Sequence, residues 1–373
     1  MPKRIVVKCG TSLLTKPGVG VDEDYIRAIS GNVVELMRAG IQPVLVISGA
    51  VAMGRAILGG DGASDSTVTR QVLAAVGQSP LMSVFEGAFR SLNKTVAQTL
   101  LSRAALEDRR GYLNARNTLL ALLDRGIVPL TNENDVVATE ELHFGDNDTL
   151  SALVANLIDS DLLVMMTNVE GYMRPDGNGV MRVVPSTNCI TDEMIADAGG
   201  AASPAGTGGM KTKLLAAGMV TAHGATAAIV DGRDPENLLR FVRGEHIGTR
   251  FSATGSRRES RKRWMLTDLA LKGRVRIDEG AVNALLRHGR SLLPAGVIGV
   301  EGAYERGDLV AVVGPDGSVV AHGLTNYGIE DLSRVMMRDS SAIRNILGYE
   351  YGDEVIHRNN LALKSSTDGR SRE

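Results

Sequence analysis

The chain has 373 residues, is 43% apolar, and sets 41 Lys and Arg against 43 Asp and Glu for a formal net charge of −2. That length predicts two or three domains, and the even charge balance leaves no global field to draw the protein onto nucleic acid or an anionic membrane. Two cysteines, Cys9 and Cys189, form no paired motif, and the six histidines are scattered without ligand spacing, so neither a disulfide framework nor a protein-held metal is expected.

From the start to about residue 250, short β-branched runs alternate with longer periodic segments. This is the pattern of an α/β fold, a mainly parallel open sheet sandwiched by helices. Strands are expected at Ile5 to Lys8, Val44 to Ile47, Val96 to Leu100, Ile127 to Thr131, Leu162 to Thr167 and Ala227 to Val230. Helices are expected at Asp24 to Ala39, Val68 to Arg90, Ala115 to Arg125, Thr149 to Ile158 and Lys211 to His223. Met1 to Arg4 leads straight into the first strand, and no run of 18 apolar residues follows, so the expectation is a soluble cytoplasmic protein that enters no membrane. Around Ser252 to Arg263 the chain turns polar and basic, which reads as a solvated linker rather than a localisation or RNA-binding arm. Beyond it, short strands at Arg274 to Ile277, Val297 to Val300, Leu309 to Val313 and Val319 to Ala321 alternate with Asp-Gly and Arg-Gly turns, predicting a second, small β-rich domain.

Several strands of the first part end in small or polar residues, among them Gly10-Thr11-Ser12, Ser48-Gly49-Ala50, Asn132 to Asp135, and Asn168. In open α/β sheets ligands sit beyond the carboxyl ends of strands, so these termini should face one crevice. The segment Thr207, Gly208, Gly209, Met210, Lys211, Thr212, Lys213 joins a glycine-rich turn to a helix opening with two lysines. Glycines let backbone N–H groups converge on an anion, and the helix start adds partial positive charge, so the segment suits phosphate. No Gly-Lys dipeptide occurs, hence no Walker A loop. Lys8, some two hundred residues earlier, is a candidate second cation for the same phosphate, although a strand-end lysine can also merely reach for solvent. Gly145 to Thr149 adds Asp146, Asn147 and Asp148, which could cap the following helix or orient lysines, an ammonium group or a hydrated magnesium ion.

The order of Val7 to Ser12, Ser48 to Ala50, Leu73 to Gln78, Asn114 to Arg116, Asn132 to Asp135, Gly145 to Asp148 and Gly206 to Lys213 resembles the glutamate 5-kinases of the amino acid kinase family. Gly273 to Gly280, Ser291 to Gly296 and Ile346 to Gly352 resemble that family's C-terminal PUA domain. The resemblance implies a kinase domain at 1–252, a linker at 253–272, a PUA domain at 273–360 and a tail at 361–373. It implies phosphorylation of the L-glutamate 5-carboxylate by ATP, with magnesium carried mainly by the nucleotide phosphates. Lys8, Lys213 and Asp148 would be catalytic, and Ser48, Asp135 and Asn147 would hold glutamate. The nucleotide would lie on Lys8, Thr167, Asn168 and Thr207 to Lys213. Proline as feedback inhibitor and a homodimer or tetramer are implied in the same way. Asn168 stands where the family often has Asp, and His143 where it can have Lys, which puts nucleotide and substrate affinity in question more than reaction type.

Two rivals remain open at this level. One is a kinase of the same fold acting on aspartate, carbamate, an N-acetylated amino acid or a nucleoside monophosphate, since fold does not decide substrate. The other is an RNA-binding protein, but residues 273–350 hold eight arginines and no lysine against ten acidic residues, a poor match to a polyanion.

Overall fold

The structure, a computed structural model, describes residues 2–16, 20–59, 66–138, 147–198, 209–253 and 271–364. The chain divides into two compact units, each with its own sheet.

In the first unit an eight-stranded sheet runs in the order Ser186–Thr187, Thr249–Phe251, Thr226–Asp231, Leu162–Thr167, Arg4–Cys9, Gln42–Val46, Val128–Glu133, Val96–Leu101. The six expected strands are all present and mutually parallel. Val128–Glu133 and Leu162–Thr167 are buried at every position, as parallel strands covered on both faces must be, which explains the apolar run Leu162 to Met166; Val128–Glu133 instead buries Thr131, Asn132 and Glu133 at its carboxyl end. Two short strands at one end of the sheet, Thr249–Phe251 and the edge strand Ser186–Thr187, had no sequence signal strong enough to announce them. The first of these runs antiparallel to Thr226–Asp231.

The expected helices also form. Glu23–Arg38 starts where Asp22 accepts a hydrogen bond from the Tyr25 amide, and it buries Ile26, Ile29, Val33 and Leu36 against the sheet. One helix begins at Arg109 rather than at the expected Ala115, because Gly111 and Asn114 weaken the helical pattern ahead of it. The helix Ala50–Leu58 was not expected, and the reason is instructive. Its Gly54 reads as a breaker, yet a Cβ there would lie 2.0 Å from the Leu73 carbonyl oxygen, and one on Gly77 1.9 Å from that of Ala50. The two glycines are what let this helix lie directly on Thr67–Ser91.

Thr67–Ser91 is long and apolar enough on average to cross a membrane, although Arg70, Gln71, Glu86 and Arg90 interrupt it. Here it buries Leu73, Ala74, Leu81, Phe85 and Phe89 in the core of the first unit.

In the second unit the order is Val297–Gly302, Gly273–Ile277, Leu309–Val313, Val319–Leu324, Leu361–Leu363. Gly273–Ile277 and Leu309–Val313 are parallel, and the other pairings are antiparallel. Helices Glu279–His288, Ile329–Val335 and Ile343–Leu347 supply Leu285, Leu332, Val335 and Ile343 to its core. The fifth strand lies in the stretch that the sequence reading gave to a tail. Only three residues long, it is fixed by pairing with Ala321–Gly323 and not by any pattern of its own. The linker expected at 253–272 falls almost wholly outside the described residues.

Candidate active site

The carboxyl ends of the central strands are level with one another: Lys8 pairs in register with Val46 and with Met165, and Val46 with Thr131. At or just past that level the strands end at Val46, Glu133, Thr167 and Asp231, with Ser48 two residues beyond the first and Asn132 one residue before the end of the second. After Ser48 the backbone turns sharply through Gly49, whose φ of +112° favours glycine, into the helix Ala50–Leu58. Two further helices, Asn147–Leu157 and Met210–Ala222, pack against each other.

At the start of these two helices lies the most informative contact in the molecule. Asp148, in the first turn of Asn147–Leu157, is fully buried. Its Oδ1 meets Lys8 Nζ at 2.7 Å and its Oδ2 meets Lys213 Nζ at 3.1 Å. Lys8 and Lys213 are themselves buried, at 6% and 7% exposure. The Thr212 hydroxyl lies 3.0 Å from Oδ2 and 2.8 Å from the Gly209 carbonyl oxygen. Burial alone would raise the Asp148 pKa, but the two ammonium charges and their hydrogen bonds outweigh it and hold the carboxyl below its ordinary range. Two cations share one anion, so this buried cluster keeps an excess of one positive charge.

A second, neutral cluster adjoins it through Asn147. The Asn147 Nδ2 lies 2.7 Å from the Ile47 carbonyl oxygen, 2.7 Å from Ser48 Oγ and 3.0 Å from Asn132 Oδ1, three acceptors that share its two hydrogens. Because Ser48 accepts here, its own proton remains available to donate. Asn132 Nδ2 in turn donates to Gln78 Oε1 at 2.8 Å.

Of the residues expected at the site, Lys8, Asp148, Lys213 and Thr212 meet in the first cluster, and Ser48 and Asn147 in the second. Asp135 stands two residues beyond the strand Val128–Glu133 and is half-buried. Thr167 is buried at the end of its strand, its carbonyl taking the Gly232 amide, and Asn168 beside it is exposed. Gly209 precedes the helix that begins at Met210, with Lys211 exposed. Thr207, Gly208, Asp146 and His143 lie outside the described residues. The sequence reading did not single out Asn132 or Gln78, although both stand in motifs that carried the resemblance. The available signal was two amides, one at a strand end and one beside a helix-packing glycine.

Residues 3–231 match the amino acid kinase family and residues 273–347 the PUA domain. Relatives span nearly the whole chain. A glutamate 5-kinase of Herpetosiphon aurantiacus is 44% identical over 96% of this chain and 97% of its own length. Those of Shewanella amazonensis and Burkholderia multivorans are 45% and 46% identical, each over 97% of this chain and over 96% and 98% of their own lengths. With that likeness and with two buried lysines gathered on one carboxylate at the strand ends, the chain belongs to the amino acid kinase family and, within it, to the family of the glutamate 5-kinases.

Proposed function

We propose that this chain transfers the γ-phosphoryl group of ATP to the 5-carboxylate of L-glutamate, giving L-glutamyl 5-phosphate and ADP, the first step of proline synthesis from glutamate. The observation that carries the reading is the meeting of Lys8 and Lys213 on Asp148. A side-chain carboxylate with a reference pKa of about 4.3 is already ionised at neutral pH, so the reaction needs no general base. Its difficulty is the approach of one anion to another, which positioning and fixed positive charge must overcome. The buried excess charge of the lysine cluster suits that task, and Asp148 holds both ammonium groups in place before any ligand arrives. With both its oxygens on lysines and its pKa depressed, Asp148 is an organiser and not a proton acceptor.

In this reading magnesium is carried mainly by the ATP phosphates, where it would neutralise charge on the phosphate oxygens.

In this reading Ser48, Asn147 and Asp135 hold glutamate, Asp135 being the partner for its ammonium group. Thr167, Asn168 and the start of the helix Met210–Ala222 face the nucleotide. Inhibition by proline, a homo-oligomeric state and a cytoplasmic location extend the proposal from the same family reading. The direct test is coupled ADP release with glutamate, aspartate, carbamate, N-acetylglutamate and UMP as acceptors. Turnover is expected with glutamate alone; turnover with another acceptor and none with glutamate refutes the assignment.

A further inference from the structure

Gln78 sits one residue after Gly77, at the point where the helix Thr67–Ser91 crosses the Ala50 carbonyl, and so lies beside the Ser48-Gly49-Ala50 turn. Backbone groups one and two side-chain amides away impose its orientation. The Glu133 N–H can only donate, so the Asn132 atom that it meets at 2.9 Å is the carbonyl oxygen Oδ1. The Ile47 carbonyl can only accept, so the Asn147 atom 2.7 Å from it is Nδ2, which also reaches Asn132 Oδ1. Asn132 must then present Nδ2 to Gln78, and the Gln78 atom 2.8 Å away must be the acceptor Oε1. That leaves Gln78 Nε2 buried and, among the described residues, without an acceptor. A buried donor left unpaired costs stability and requires a reason.

We propose that Gln78 Nε2 donates to a carboxylate oxygen of the bound amino-acid acceptor, making Gln78 a specificity residue held in place by Asn132. The inference rests on the reading of glutamate as acceptor. A carboxylate offers only acceptors, and the amide chain ends in only donors at this point. An uncharged donor also adds no cation to compete with Lys8 and Lys213 for the phosphoryl group.

The test compares Gln78→Glu, which keeps an oxygen for Asn132 but replaces the donor with an anion, and Gln78→Met, which removes both polar ends at similar length. Against wild-type glutamate-dependent ADP release, both should raise the KM for glutamate about 10- to 100-fold, with kcat and the KM for ATP within about threefold. The rise in Tm that glutamate gives the wild type should be lost in both. A KM for glutamate within about threefold of wild type in Gln78→Glu overturns the proposal, since a residue acting only through Asn132 would keep its acceptor there. So do equal rises in both KM values. A wild type that releases no ADP in response to glutamate removes the acceptor reading, and this inference with it.

Discussion

Replacing Asp148 by Asn keeps the shape of the side chain and deletes the charge on which two buried lysines depend. At an effective dielectric of about 20, the contacts of 2.7 Å and 3.1 Å correspond to gross attractions of about 6 and about 5 kcal/mol, largely offset by the cost of burying the ions. What the variant loses is set by the ammonium groups left behind, and stranding a buried charge in this way costs about 3–5 kcal/mol. For a unit of this size that lowers Tm by about 6–20 °C. Lys213→Met should be milder, because it leaves Lys8 and Asp148 as a neutral pair. Inorganic phosphate should raise the Tm of Asp148→Asn more than that of the wild type, since an anion then meets two uncompensated cations. In ADP-release assays kcat should fall about 100- to 1000-fold, as the lysines lose their fixed positions. The pH dependence has a definite sign. The Asp148 pKa is depressed in the folded state, so its contribution is complete above the ordinary carboxylate range and disappears as pH falls through the lower folded value. The stability gap between wild type and Asp148→Asn should therefore close only in acid, below about pH 4. Thermal unfolding by circular dichroism and steady-state kinetics read these effects. A variant with wild-type Tm and kcat within about threefold would refute the reasoning.

Lys8→Ala and Lys213→Ala should each lower kcat about 100- to 1000-fold while the far-ultraviolet dichroism stays that of the wild type; near-normal turnover in either removes that lysine from the mechanism. Asp135→Ala should raise the KM for glutamate about 10- to 100-fold and that for ATP little, and equal effects on the two would argue against an ammonium contact. Gly77→Ala places a Cβ 1.9 Å from the Ala50 carbonyl oxygen, so the two helices must part. A loss of about 1–3 kcal/mol or more is expected from thermal unfolding, and an unchanged Tm would show that the crossing yields easily.

The parallel sheet of the first unit was legible because strands buried on both faces write themselves as apolar runs, and Leu162 to Met166 and Val44 to Ile47 do so. The helix at Glu23 was equally plain, with a capping Asp22 and apolar residues at helical spacing. What escaped notice depends on partners distant in sequence. Ala50–Leu58 exists because Gly54 and Gly77 let two helices touch, and Leu361–Leu363 is a strand only because Val319–Leu324 offers an edge. A glycine read alone is a breaker, and three residues read alone are a tail.

The chemistry divides along the same line. The sequence by itself determined which groups were on offer: lysines at 8 and 213, an acid at 148, amides and hydroxyls at strand ends. Only the tertiary structure decided that Asp148 holds both lysines, that the Thr212 hydroxyl turns to the same carboxylate, and that Asn132 links Asn147 to Gln78. Residue type and local spacing act over a few positions along the chain. A charge pair acts over about 3 Å of space, and 205 residues of sequence separate its two cations. No local pattern can encode which carboxylate lies between them; the packing of the helices that carry Asp148 and Lys213 against each other, and of the first against the strand that carries Lys8, does.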